Sequence, residues 1–167
     1  MIALVATIGT KNSGSAEAFA RDFGSCDYSN PLADVLKQAQ RHNMLVPVAA
    51  GVRPRPANPI MADITPRARG DAAAFHATMD LAAGWEAWFT QWTRTWESPT
   101  PSELTITDDW ALMQGDAVAF HWTTTLPITL DAAARCAVIQ GRRGRAILTW
   151  DAGLEASVEQ LLAGMTI

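Results

Sequence analysis

The sequence predicts an α+β domain: an antiparallel sheet of four to six strands packed against a long aromatic helix and a C-terminal helix. Three observations carry this reading. The stretch Gly84 to Trp96, GWEAWFTQWTRTW, holds four of the seven tryptophans. Trp85, Trp88, Trp92 and Trp96 are spaced i, i+3, i+7 and i+11, one narrow helical face at about 100° per residue. Second, the later chain alternates apolar and polar residues in short runs, the period of half-buried strands. Third, Leu154, Val158, Leu161 and Leu162 share one face of a closing helix.

Taken in order, Ile2 to Ile8 is an apolar run with the character of a strand. Thr10 to Gly14 is a loop, and Ser13 or Ser15 caps a helix through Phe23. Asn30 and Pro31 suit the N-cap and first turn of a second helix, Leu32 to His42. Leu45 to Val48 reads as a strand tolerant of Pro47 at an edge. The prolines of Val52 to Pro59 block a regular ladder, and Ile60, Ala62 and Ile64 form the second strand of a hairpin. Asp71 is a good N-cap for the aromatic helix, Ala72 to Trp96, bent at Gly84. Ser98-Pro-Thr-Pro101 stops it. Leu104 to Leu112 is a strand, Gln114-Gly-Asp116 a tight turn, and Val118 to Thr124 the next strand. Val118, Phe120 and Trp122 point one way, His121 the other. Ala134 to Ile139 and Ala146 to Trp150 pair around Gly141 to Gly144. The whole chain, 1–167, forms a single domain, with 1–44 a β-α-α extension of the sheet and covering helices of 45–167. The aromatic face is expected to cover the Val118/Phe120/Trp122 side of the sheet.

The 167 residues suffice for one proper core. Thirteen basic against seventeen acidic residues, with no basic stripe, exclude a nucleic-acid binder, because phosphate contacts need clustered Lys and Arg. No apolar run reaches the roughly 20 residues of a membrane span, and MIALVATIG lacks the basic start of a signal peptide. A cytoplasmic location is expected. Cys26 and Cys136 are read as a reduced, buried pair.

Candidate chemistry is sparse. Trp85, Trp88, Trp92, Trp96 and Trp122 can line an apolar groove for a hydrophobic ligand or a partner's helix. Ordinary core is the competing reading, and it is preferred for most of the stripe. Each indole N–H needs a partner when buried, so part of the stripe is expected to reach a cleft. His42, His76 and His121 have no metal-ligand spacing, and no cofactor motif is present. His121 with Asp108 or Asp109 would make a His–carboxylate pair for proton abstraction. Ile8 to Ser15, between a strand and a helix, would cradle a phosphate, but lacks the GxxxxGK[ST] pattern.

The segments RPRPANPIMADITP, LMQGDAVAFHWTTT, ARCAVIQGRRGRAILTWD and LEASVEQLLAGMTI, in that order around the aromatic stretch, resemble the PsbP-like fold over residues 45–167. That fold includes LpqN-type lipoproteins and Eag-type adaptor chaperones of secretion systems. The resemblance implies a non-enzymatic binding or chaperone role, with a concave apolar surface for a partner's transmembrane helices. ITDDWALMQGDAVAFHWTTT also resembles the paired strands of SnoaL-like, nuclear-transport-factor-like proteins. That likeness implies a pocket enzyme, a cyclase, dehydratase or isomerase, with His121, Asp108 and Trp122 facing a cavity. The expected function is therefore a non-enzymatic binding or adaptor protein for a protein partner or hydrophobic ligand, able to form a homodimer. The pocket enzyme is the alternative, and an immunity-type interaction protein a third.

Overall fold

In the computed structural model, which describes residues 2–10, 17–22, 29–56 and 64–160, the tryptophan-rich stretch is a turn followed by a strand. A 3-10 turn, Ala82–Trp85, precedes β5, Phe89–Thr100. This corrects the expected long helix, and the reason lies in residue type and period. Phe89, Trp92, Trp96 and the threonines at 90, 93, 95 and 100 are residues that pack well on a pleated sheet and lose rotamer freedom in a helix. Along β5, Trp92, Arg94 and Ser98 are buried while Thr90, Gln91 and Glu97 are exposed. From Trp92 onward the side chains therefore alternate between two faces, as a strand requires.

The remaining strands are β1 (Ile2–Thr10), β2 (Leu45–Val48), β3 (Arg67–Gly70), β4 (Phe75–Asp80), β6 (Glu103–Leu112), β7 (Ala117–Phe120), β8 (Ile128–Asp131), β9 (Cys136–Gln140) and β10 (Gly144–Trp150). Eight form one antiparallel sheet in the order β3-β4-β5-β6-β1-β10-β9-β8, and β2 pairs with β7 as a separate ribbon. Helix is minor among the described residues: α1, Ala33–Leu36, and the two 3-10 turns Ala39–Arg41 and Ala82–Trp85. The expected helix Leu32 to His42 is thus broken into α1 and the first of those turns. Residues 17–22 are irregular, and the rest of the expected first helix lies outside the described residues. The expected C-terminal helix is also corrected: 154–160 is irregular chain, with 161–167 outside the described residues. The strand expected around Ile60 to Ile64 falls largely on residues that are not described. β1 runs through the middle of the sheet, between β6 and β10.

Asp71 shows how a hairpin can carry the sequence signature of a helix start. Its Oδ1 accepts the Ala73 and Ala74 N–H groups at 2.8 and 3.2 Å. That is the bonding of an N-cap, used here to close the β3–β4 turn. The two N–H donors also hold its carboxyl below the ordinary 3.8. Gly70 enters this turn at φ 111°, and a Cβ there would strike the Ala74 carbonyl.

Register aligns one face of the large sheet. Trp92 faces Trp110, Arg94 faces Asp108 and Trp96 faces Ile106. Farther across, Ala6 pairs with Leu148 and Leu104, Leu148 with Ala137, and Ala137 with Leu130. The opposite face carries a row of threonines, Thr78, Thr95 and Thr107. The β2–β7 ribbon lies on the apolar face. Leu45 and Val46 join Trp85, Trp88, Phe89 and Trp92 in one buried cluster, and Ala6, Phe19, Ala137, Ile139, Ala146 and Leu148 form a second. Phe120 packs against both. Within the first cluster Trp85 meets Trp92 edge to face at 6.0 Å, and Phe89 lies tilted against Trp92 at 4.9 Å.

Trp92 is 0% exposed and Trp96 only half-buried. Truncating a fully buried Trp to Ala costs about 3–5 kcal/mol. Trp92→Ala should therefore lower the urea-unfolding free energy by that amount, and Trp96→Ala by clearly less. Equal losses at the two positions would contradict the strand assignment.

Candidate functional site

β7 and the chain that follows it form one wall of a cavity of about 600 Å³. Opposite stand Ile128, Leu130, Ala137, Leu148 and Trp150, all projecting from the apolar face of the large sheet. Residues 153–159, with Gln40 and Arg41, complete the lining. Alternation in three short strands supplies the opposite wall: Ile128/Leu130, Ala137/Ile139 and Ala146/Leu148/Trp150 each present every second residue to one side.

Beyond Phe120 the chain leaves the β2–β7 ladder, so its backbone groups need other partners. They find them. His121 N–H donates to the Met44 carbonyl at 2.9 Å, and Thr123 N–H to Asn43 Oδ1 at 2.8 Å. The Thr123 hydroxyl donates to the Arg21 carbonyl, and Arg21 N–H returns a bond to the Thr123 carbonyl at 2.9 Å. Trp122 Nε1–H donates to the Phe19 carbonyl at 3.0 Å. The 17–22 segment is held at its other end by Glu17, whose carboxylate accepts the Arg142 and Arg143 N–H groups at 2.8 and 3.2 Å. Those bonds hold the Glu17 carboxyl below its ordinary 4.5.

The sequence-predicted groove residues separate. Trp85, Trp88 and Trp92 are buried in the core, at 4%, 8% and 0% exposure. Trp96 stands with Arg94, whose guanidinium lies 5.7 Å from its ring centroid. Trp122 lines the cavity. Trp150 and Arg41 were not singled out from sequence, nor was β8. The alternation of Ile128 and Leu130 was the available signal for β8; nothing local marks Arg41.

His121 also lines the cavity, but it is not joined to the two aspartates. Asp108 accepts Trp92 Nε1–H at 2.7 Å and both Arg94 Nε–H and Nη2–H at 2.8 Å. Asp109, on the other face, accepts Gln91 Nε2–H at 3.2 Å. Among the described residues no carboxylate is hydrogen-bonded to the His121 ring. Burial lowers the His121 pKa from 6.5; the charge of Arg41 pushes the same way, and Glu159 opposes both. The imidazole is therefore held toward its neutral form.

Other candidates resolve similarly. His42 Nδ1 pairs with Asp22 at 2.8 Å, and His76 stands 4.0 Å from Glu97. Among the described residues no group of three or more His, Cys, Asp or Glu could hold a metal. None of their helices is long and apolar enough to cross a membrane. Cys136 is a free, half-buried thiol, whereas Cys26 and most of the suggested phosphate loop lie outside the described residues. No family model matches the chain, and comparison with curated proteins and with solved structures finds no match.

A depressed histidine pKa has a defined sign. The unfolded chain binds more protons than the fold once pH drops below about 6.5, so stability is full above that value and is lost as pH falls toward the folded pKa. Glu17 and Asp71 act only near and below their ordinary 4.5 and 3.8. Between pH 7.5 and 5, His121→Gln should therefore show a flatter loss of urea-unfolding free energy than the parent chain. Parallel curves would place His121 in solvent.

Proposed function

We propose that this is a binding protein rather than a catalyst, and that its ligand is a hydrophobic small molecule held between β7 and the β8–β10 face. The single observation that carries this is the cavity. Its volume of about 600 Å³ lies within the range of small-molecule sites, and its walls are more apolar than polar.

A proton-abstracting enzyme is less well supported. Such an enzyme needs a base oriented by a second group within hydrogen-bond reach. Asp108 is already committed to Arg94 and Trp92, and His121 has no bonded carboxylate among the described residues.

The neutral dye N-phenyl-1-naphthylamine tests the reading. It should bind the folded chain saturably at one site, with a fluorescence rise. Leu130→Trp, which enlarges a half-buried lining residue, should weaken that binding at least about tenfold while leaving the urea midpoint nearly unchanged. A folded parent chain that does not bind the dye would refute the proposal.

A further inference from the structure

We propose that the cavity takes an amphipathic carboxylate, its apolar chain lying against Leu130, Leu148 and Trp150 and its carboxylate held by Arg41. The inference rests on the binding reading above and names the ligand class.

Arg41 ends the 3-10 turn Ala39–Arg41, and its side chain lines the cavity. Its Nε is buried with no hydrogen-bond partner. Among the described residues no carboxylate lies within ion-pairing distance of its guanidinium. A charged group taken partly out of water without a partner is costly. A carboxylate relieves that cost in a way that other head groups cannot. It is singly negative and planar, and it accepts an N–H from each of the two Nη atoms, which unlike Nε are not sealed from water. An alcohol would leave the charge uncompensated, and an amine would pair with Glu155 or Glu159 and leave Arg41 without a partner.

The remaining charges fix the orientation. Glu155 and Glu159 line the same cavity from the exposed 153–159 segment. They disfavour an anion beside them, which leaves Arg41 as the lining group for a carboxylate to pair with. His121, beside Arg41 and held toward neutrality, adds no competing negative charge and offers one ring N–H. The opposite wall, built from Ile128, Leu130, Leu148 and Trp150, has no ionisable group and suits an alkyl or aryl chain.

The test displaces bound N-phenyl-1-naphthylamine with dodecanoate, dodecanol or dodecylamine at pH 7.5, using the parent chain, Arg41→Met and Arg41→Lys. Dodecanoate should displace the dye at about tenfold lower concentration than dodecanol, as a charge-assisted bond implies, and dodecylamine should not lose affinity in Arg41→Met as dodecanoate does. Arg41→Met should bring dodecanoate level with dodecanol, and Arg41→Lys should retain part of the preference. Equal displacement by dodecanoate and dodecanol from the parent chain would overturn the carboxylate inference while leaving the cavity reading intact. A preference that survives in Arg41→Met would do the same. Absence of dye binding to the parent chain would defeat both. Should Arg41→Met fail to fold, Arg41→Lys and the parent chain's ranking of dodecanoate against dodecanol decide the matter.

Discussion

The buried ion pair between Arg94 and Asp108 is the constraint on which the rest of the structure depends. Both side chains are almost wholly removed from water, Arg94 at 4% and Asp108 at 1% exposure. Two charges in that position are costly unless geometry and further hydrogen bonds compensate. Here they do. The guanidinium meets the carboxylate through two parallel bonds of 2.8 Å, and Trp92 Nε1–H supplies a third donor to Asp108. The remaining Nη1–H goes to the Asn43 carbonyl at 3.1 Å. The rings of Phe120, Trp92 and Trp96 lie 5.2, 5.6 and 5.7 Å from the Arg94 carbon, where their faces attract a cation. The pair also pins register. A one-residue slip of β5 on β6 would send one charge to the opposite face and leave its partner buried alone.

From this pair a continuous set of bonds leads to the cavity. Asn43 accepts Arg94 through its backbone carbonyl and Thr123 N–H through its side chain. Thr123 in turn exchanges bonds with Arg21. The cavity wall at 121–123, which has no strand partner, is thus fixed to the sheet by side-chain chemistry. Trp122 and His121 are positioned by the same network, and Phe120, at the junction of the two hydrophobic clusters, sits under the guanidinium. The core and the candidate site are therefore parts of one arrangement: the charges buried to order β5 and β6 also shape the space beneath β7.

How much of this was legible in the sequence follows from the same residues. The strands near Leu104 to Leu112, Val118 to Phe120 and Ala146 to Trp150 were readable because their apolar positions alternate. The tryptophan helix was a misreading because Arg94 occupies an inward position. In W-T-R-T-W the central charge breaks the apolar-in, polar-out alternation, and the partner that makes it tolerable, Asp108, lies on another strand. Helical spacing of the four indoles then gave the better local fit, and the Asp71 turn imitated a helix cap. Three of those indoles do meet in one core, brought there by a turn and a strand. β8, with only four residues, was too short to register as a period. Trp122 was identifiable as a site candidate; Arg41 and Trp150 were not, because only the sheet order and the ribbon's placement bring them together.

A double-mutant cycle on Arg94→Met and Asp108→Asn, read by urea unfolding, tests the central claim most directly. Each single change should cost about 3–5 kcal/mol, since each leaves a buried group without its partner. The double variant should lose less than the sum by at least about 1 kcal/mol, the mark of a direct interaction. Single losses below about 1 kcal/mol, or losses that add to within about 0.5 kcal/mol, would contradict the account.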